Sequence, residues 1–462
     1  MVEPDVKGIK PKSFPRKSLP KEYYIPYLSN LSKERRPNGI RGLFPLELLP
    51  NMLSLLAGKP APQTFPITSF SFTVRSPESS VSNHVPDIPV SVSGPALDEA
   101  LQYSATRGIP SLVGWVEGLQ ERFHGRNPKG EGWSCAIGSG SQDLLYKAFH
   151  SLLNPGDSIF VEAPVYSGVL PILQSLHADM IEIPTDAQGA RSSDLRKMLE
   201  NWPSGKPIPR VMYTVPYGCN PTGTTASLDR RLEVLELARK YDFLIMEDDP
   251  YFYLYYGEAE RPASYFHLEA QDWSEPVGRV LRFDSFSKIL SAGLRLGFVC
   301  GPEPIIDAII MHTSSANLQV SSTSQAIGFA LLNTLGYDGF ERHTQGVSQY
   351  YRERRDVFEK AMRHHFGSGL AEWATPEAGM FVWFKLKLSA SEGSPEGDSN
   401  ALIAQRAVAK GVLAIPGTSF FPNGRTSAYV RASFSTIAPE HVDEALRRLA
   451  EVVREYNEEQ WA

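Results

Sequence analysis

The chain has 462 residues, too many for one small unit when domains run to ~150 residues each, so two or three units are expected. Hydrophobic residues make up 42% and charged residues 21%, a globular balance that excludes a disordered or collagen-like chain. Lys plus Arg (46) against Asp plus Glu (52) leaves a net charge of −6, so no global basic field points to nucleic acid or an anionic membrane.

From the start of the chain, Met1-Val2-Glu3-Pro4-Asp5 carries acids and a proline, neither an apolar signal core nor an Arg-rich transit helix. No apolar run approaches the ~20 residues that cross a bilayer. Cys135, Cys219 and Cys300 are odd in number and widely spaced, which suits neither a disulfide framework nor a metal site. The expectation is a soluble, cytoplasmic chain with no metal, membrane or nucleic-acid partner. Residues 1–95 are broken by prolines and read as an arm with connecting segments, with room for one short helix within 40–56.

From about residue 100 apolar strand-like runs alternate with helical ones, the pattern of a parallel sheet flanked by helices. Strands are expected at 134–137, 158–162, 180–183, 211–215, 243–246, 280–283 and 298–300. Helices are expected at 144–153, 167–176 and 228–241. A long helix over 338–366 leads into strands at 381–386 and 429–433 and a final helix from Pro439. The stretch 389–400 is polar and rich in Gly, Ser, Pro and acids, and reads as a mobile surface loop. The class is therefore α/β: a large domain over 96–340 with a mostly parallel central sheet, then a linking helix and a small α+β domain over 341–462.

Ligands of open parallel sheets collect beyond the C-terminal strand ends, and four polar groups fall there. Gly138-Ser139-Gly140-Ser141-Gln142 opens a helix, where free N–H groups favour an anion, although a plain turn has the same look. In Tyr217-Gly218-Cys219-Asn220-Pro221-Thr222-Gly223, Pro221 would hold the Asn220 amide toward a ligand; an ordinary loop is the alternative. Glu247-Asp248-Asp249-Pro250-Tyr251 closes an apolar strand, where a carboxylate is costly unless it meets a partner. Ser285-Phe286-Ser287-Lys288 follows another strand, with Arg295 seven residues on. A lysine there is ordinarily solvated, yet if desolvated it becomes a carbonyl-capturing amine. Together they place an amide, a carboxylate, a phenol, a lysine and an arginine at one sheet edge. That inventory suits pyridoxal 5′-phosphate (PLP), which needs a lysine for its aldehyde, an acid for its ring nitrogen and donors for its phenolate and phosphate.

In these motifs and their order the chain resembles the fold-type-I PLP-dependent aminotransferases, from roughly Ile40 to the C-terminus. It is similar in particular to the group holding the fungal aromatic-amino-acid and kynurenine/2-aminoadipate enzymes. The resemblance implies that Lys288 attaches the cofactor aldehyde and shuttles the substrate proton, and that Asp248 pairs with the ring nitrogen. It implies Asn220 and Tyr251 at the phenolic oxygen and Tyr166 stacked on the ring. Ser141, Gln142, Ser285 and Arg295 would hold the phosphate, with Tyr103 reaching it from the other subunit of a homodimer. Arg431 would bind the substrate α-carboxylate; Arg41 and Gly58 would belong to a segment closing over the substrate. Lys59, a charge where a small apolar residue is expected, bears on side-chain choice.

The implied activity is ping-pong transamination of an aromatic or 2-aminoadipate-like amino acid with 2-oxoglutarate. A dedicated secondary-metabolite role and a PLP lyase or decarboxylase remain open alternatives, because the cofactor labilises any bond at Cα. A regulator built on this fold needs a winged-helix module, and residues 1–95 show neither a helix-turn-helix pattern nor a basic stripe.

Overall fold

The computed structural model describes residues 17–461 except 57, 80–83, 368 and 391–395. Fourteen strands are present among them, beginning with an antiparallel pair, β1 (Phe70–Val74) and β2 (Ile88–Val92). The main sheet contains β3 (Trp133–Gly138), β4 (Ser158–Ala163), β5 (Asp179–Asp186), β6 (Gly189–Ala190), β7 (Val211–Thr214), β8 (Leu244–Asp248), β9 (Val280–Ser285) and β10 (Gly297–Pro302). Their spatial order is β3-β10-β9-β8-β7-β4-β5-β6. Neighbours from β9 through β8, β7 and β4 to β5 are parallel, while β10 and β6 run against the strands beside them.

This sheet is apolar on both faces, as a parallel sheet covered by helices requires. Along β8, Ile245 joins one buried cluster with Phe160, Phe243 and Phe298, while Leu244 and Met246 join the opposite one with Phe149, Tyr213 and Phe283. From the β4–β7 neighbour pair, the chain builds outward in opposite directions. That reversal opens a crevice at the C-terminal ends of these two strands, the preferred ligand position in such sheets.

The long helix Ser322–Phe366 starts sixteen residues before the expected position, Asp338. Gly336 breaks it with φ 63°, a backbone state open to glycine, and this break hides the first half from a periodicity reading. The helix packs against β2 and the helices Pro95–Leu101, Pro110–His124 and Pro439–Trp461. The smaller sheet is antiparallel, β11 (Ala371–Trp373), β12 (Phe381–Leu386), β13 (Ile415–Pro416) and β14 (Tyr429–Ser433), in the order β11-β12-β14-β13. Met362, Phe366, Val382, Phe384, Val430 and Leu446 form its core.

Other differences are local. The region before residue 95 contains the β1–β2 pair, and the helix expected within 40–56 is the 3₁₀ segment Arg41–Leu48. The helix Pro110–His124 adds an element where none was expected, and the helix expected over 167–176 is confined to Leu170–Ser175. Of the stretch 389–400, residues 391–395 lie outside the described residues; Asp398 then caps the turn Ser399–Ala401.

Candidate active site

The crevice holds a cavity of about 210 Å³ lined by Ser141, Gln142, Tyr166, Asn220, Asp248, Tyr251, Ser285, Ser287, Lys288, Arg295 and Phe381, among others. These residues arrive from the ends of β3, β4, β7, β8 and β9 and from β12 of the small sheet. Chain order and strand order together explain the convergence: each strand exits toward the same edge.

One end of the cavity is built to hold an anion. The helix Ser141–Leu152 begins at Gly140, φ 85°, with no side-chain cap on its first N–H groups, so the helix terminus presents unpaired donors. Arg295 leans across it, donating to Ser139 O at 3.2 Å and to Ser287 Oγ at 3.3 Å. A methyl on Gly140 would lie 2.5 Å from Arg295 Nη2, and one on Gly297 2.8 Å from Ser141 N. Glycine at these two positions keeps the cradle open.

The three acids closing β8 divide by strand alternation. Glu247 and Asp249 share the fully buried Arg282, whose Nη2 also donates to Asp284 at 3.0 Å. Glu247 also accepts the N–H groups of Tyr265 and Phe266, at 2.9 and 3.1 Å. Asp248 turns the other way, into the cavity. Its Oδ2 accepts from Tyr213 at 2.7 Å, while Oδ1 is buried without a partner. Desolvation raises its carboxyl to about 7, against the lowering effect of the Tyr213 bond.

Lys288 ends the 3₁₀ turn Phe286–Lys288, which Ser285 caps by accepting from Ser287 N at 3.2 Å. Burial lowers its ammonium pKa from the ordinary lysine value, and the charges of Arg295 and Arg431 lower it further; both effects favour the free amine, the form that attacks a carbonyl. Burial raises the phenols of Tyr166 and Tyr251, and the charge of Asp248 adds to this. Arg431 on β14 donates to Asn220 Oδ1 at 2.7 Å and lies 4.3 Å over the Phe381 ring. Its Nε is buried without a partner.

Behind Asn220, Glu162 at the end of β4 accepts from Thr214 Oγ1 at 2.7 Å, Val215 N at 3.0 Å and Cys219 Sγ at 3.7 Å. It thereby ties β4, which leads to Tyr166, to the loop carrying Asn220. Burial holds its carboxyl at about 7.

The structure thus brings Ser141, Gln142, Tyr166, Asn220, Asp248, Tyr251, Ser285, Lys288 and Arg295 around one cavity, with Arg431 touching Asn220 at its edge. Tyr103 does not line it and is 55% exposed. Gly58 is also exposed and away from it. The Arg41 side chain lies outside the described residues. Gln102 Nε2 donates to Pro60 O at 2.8 Å, and its Oε1 accepts from Tyr103 N at 3.0 Å, so the Gly58–Pro60 segment is tied to Tyr103. Sequence reading missed Ser287, Phe381, Tyr213 and Glu162. Ser287 stood inside a quoted motif; the other three sit within strands whose apolar neighbours mask them.

The residues fit PLP. A buried carboxylate oxygen lacks a donor, an uncapped helix terminus with an arginine awaits a phosphate, and a lysine is biased toward its amine. The aminotransferase class I and II family matches residues 121–449. The aminotransferase tdiD of Emericella nidulans is 42% identical over 429 residues, covering 93% of this chain and 95% of that protein. The mitochondrial kynurenine/alpha-aminoadipate aminotransferase of Bos taurus is 36% identical, with 94% and 99% covered. The aminotransferase Aro8 structure from Candida albicans superposes with a TM-score of 0.84 over 96% of this chain and 100% of that one, at 24% identity, a likeness of fold. Among the described residues no helix is long and apolar enough to cross a membrane. With that family match and a site suited to its cofactor, this chain belongs to the class I and II aminotransferases and is a PLP-dependent enzyme of amino-acid transamination.

Proposed function

We propose that the enzyme transaminates an aromatic or 2-aminoadipate-like amino acid, passing its amino group to 2-oxoglutarate in a ping-pong cycle. The observation carrying this reading is Arg431: a guanidinium with a buried unpartnered Nε, set over Phe381 and Phe420 at the rim of the Lys288 cavity. A planar fork pairs with a carboxylate in two bonds, and the Phe381 ring lining the cavity gives an aromatic substrate an apolar wall. Kynurenine/alpha-aminoadipate specificity in the name of the Bos taurus relative supports the same range.

PLP supplies, when bound, an electron sink for breaking bonds at the substrate Cα. Lys288 Nζ would hold the cofactor and would be the base that moves the substrate Cα proton. Asp248, whose Oδ1 lacks a partner, would pair with the cofactor's ring nitrogen, Tyr166 would pack against the ring, and Asn220 and Tyr251 would serve its phenolic oxygen. Ser141, Gln142, Ser285, Ser287 and Arg295 would hold its phosphate. Burial around these groups excludes water and strengthens each charge interaction.

The working unit in this reading is a homodimer in the cytoplasm. Exposed Leu43, Leu46, Leu49, Leu53 and Leu55 form an apolar run before Tyr103, a surface suited to burial against another subunit. Tyr103, with Gly58 and Arg41 on the same arm, would then serve the other subunit's site. Three free, buried cysteines suit a reducing compartment. Steady-state kinetics over aromatic, acidic and aliphatic donors, with glutamate formation from 2-oxoglutarate as readout, test the reading. Carbon dioxide or ammonia released without glutamate would overturn it.

A further inference from the structure

Tyr213 lies in the middle of the sheet, 1% exposed, with its ring against Phe149 at 5.7 Å. The register sets it beside Met246, two residues before Asp248. Its hydroxyl reaches forward to Asp248 Oδ2 at 2.7 Å. A tyrosine here carries a packing role that phenylalanine would fill equally well. The hydroxyl therefore needs its own account, because burying a polar group costs unless it is bonded.

We propose that Tyr213 is a positioning residue that decides where the proton sits between Asp248 and the cofactor ring nitrogen. By occupying Oδ2, its hydroxyl keeps the carboxylate anionic and leaves Oδ1 as the single acceptor aimed at the ring. This rests on the reading that Asp248 faces that nitrogen.

The physical reason is the choice between an ion pair and a neutral pair in a desolvated site. Burial favours the neutral pair, with the proton on the carboxyl and the ring nitrogen bare. The other groups around Asp248 offer little relief: Asp249, the residue just past the strand, adds negative charge, Asp284 on β9 is another carboxylate, and the phenols of Tyr166 and Tyr251 are held un-ionised by burial. Arg282, the nearest buried cation to this row of acids, is committed to Glu247, Asp249 and Asp284. Among the described residues, Tyr213 donates the one hydrogen bond that the Asp248 side chain accepts. Hydrogen bonding to the charged form favours that form, so Tyr213 tips the pair toward a protonated ring, the state that withdraws electrons best.

Holoenzyme reconstituted with PLP carrying ¹⁵N in the ring reads this directly by NMR. Wild type is expected to show the protonated-ring signal. Tyr213→Phe is expected to move it toward the unprotonated position, with kcat down about ten- to hundredfold and KM for the amino donor within about threefold. Asp248→Asn is expected to move the signal at least as far. A Tyr213→Phe signal at the wild-type position, beside a shifted Asp248→Asn signal, would overturn the proposal alone. If neither variant moves it, Asp248 does not face the ring nitrogen and the underlying reading falls as well. A fluorotyrosine at position 213 preserves the shape should the phenylalanine variant fold poorly. As a stronger donor it makes Oδ1 a weaker acceptor, so the ring N–H proton signal should move upfield; an unmoved signal would also overturn the proposal.

Discussion

Arg431 on β14 of the small sheet donates to Asn220 Oδ1, in the loop after β7 of the large sheet, at 2.7 Å. One hydrogen bond thus joins the two sheets across the cavity mouth, and it places a guanidinium beside the amide proposed to serve the cofactor's phenolic oxygen. A substrate carboxylate arriving at Arg431 would compete for or reinforce that bond.

Arg431→Lys is therefore expected to lower kcat/KM by about ten- to hundredfold for both amino donor and oxo-acid acceptor, since a charge-assisted pair is worth roughly 1.5–3 kcal/mol and an ammonium cannot reproduce the fork. Both half-reactions present an α-carboxylate, so the loss should fall on both. Stopped-flow measurement of each half-reaction checks this; a loss confined to one would place the carboxylate elsewhere.

Lys288→Ala is expected to abolish turnover. Borohydride reduction of the wild type followed by peptide mapping should fix the cofactor on the Lys288 peptide. Recovery of the label on another lysine would relocate the attachment site. Because burial and two neighbouring guanidiniums lower this lysine's pKa, cofactor capture by apoprotein should already be efficient below the ordinary lysine range.

Glu162 gives the fold a pH dependence with a definite sign. Its carboxyl is held at about 7 against a reference of 4.5, so the folded state keeps a proton that the unfolded chain releases. That contribution is fully present below the unfolded value and is lost as pH rises through about 7. Asp248, raised to about 7, acts in the same direction in apoprotein. Urea unfolding of apoprotein from about pH 5 to about pH 8 should show falling stability, and Glu162→Gln should flatten the slope. An unchanged slope in that variant would remove Glu162 from the account.

The groups around the cavity were legible where the signal is local. Asn220-Pro221-Thr222-Gly223 and Ser285-Phe286-Ser287-Lys288 announce themselves because turn residues and polar groups sit together just past apolar strands. Tyr213 was not legible, since its partner Asp248 is 35 positions away and only strand register brings them together. Glu162 stayed hidden for the same reason: its partners lie 52 to 57 positions on. The β1–β2 pair escaped because Pro89 interrupts a short strand that pairs on one side only, the edge position where proline is tolerated. Arg282 shows the converse. Three consecutive acids at a buried strand end implied a cation, and the β8–β9 register supplies it opposite Glu247.

Tyr103 is the test of assembly. It is 55% exposed and absent from its own chain's cavity, and Gln102 ties it to Pro60, so tyrosine and arm would travel together into another subunit's site. In a twofold dimer each site then needs Lys288 from one chain and Tyr103 from the other. Tyr103→Ala and Lys288→Ala homodimers should each be strongly impaired when cofactor is limiting. Mixed after unfolding and refolding, half the dimers would be hybrids, each with one site intact, so activity should recover to roughly a quarter of wild type. Native mass spectrometry would verify that hybrids form. Hybrids present without recovery would show that Tyr103 and Lys288 serve the same chain.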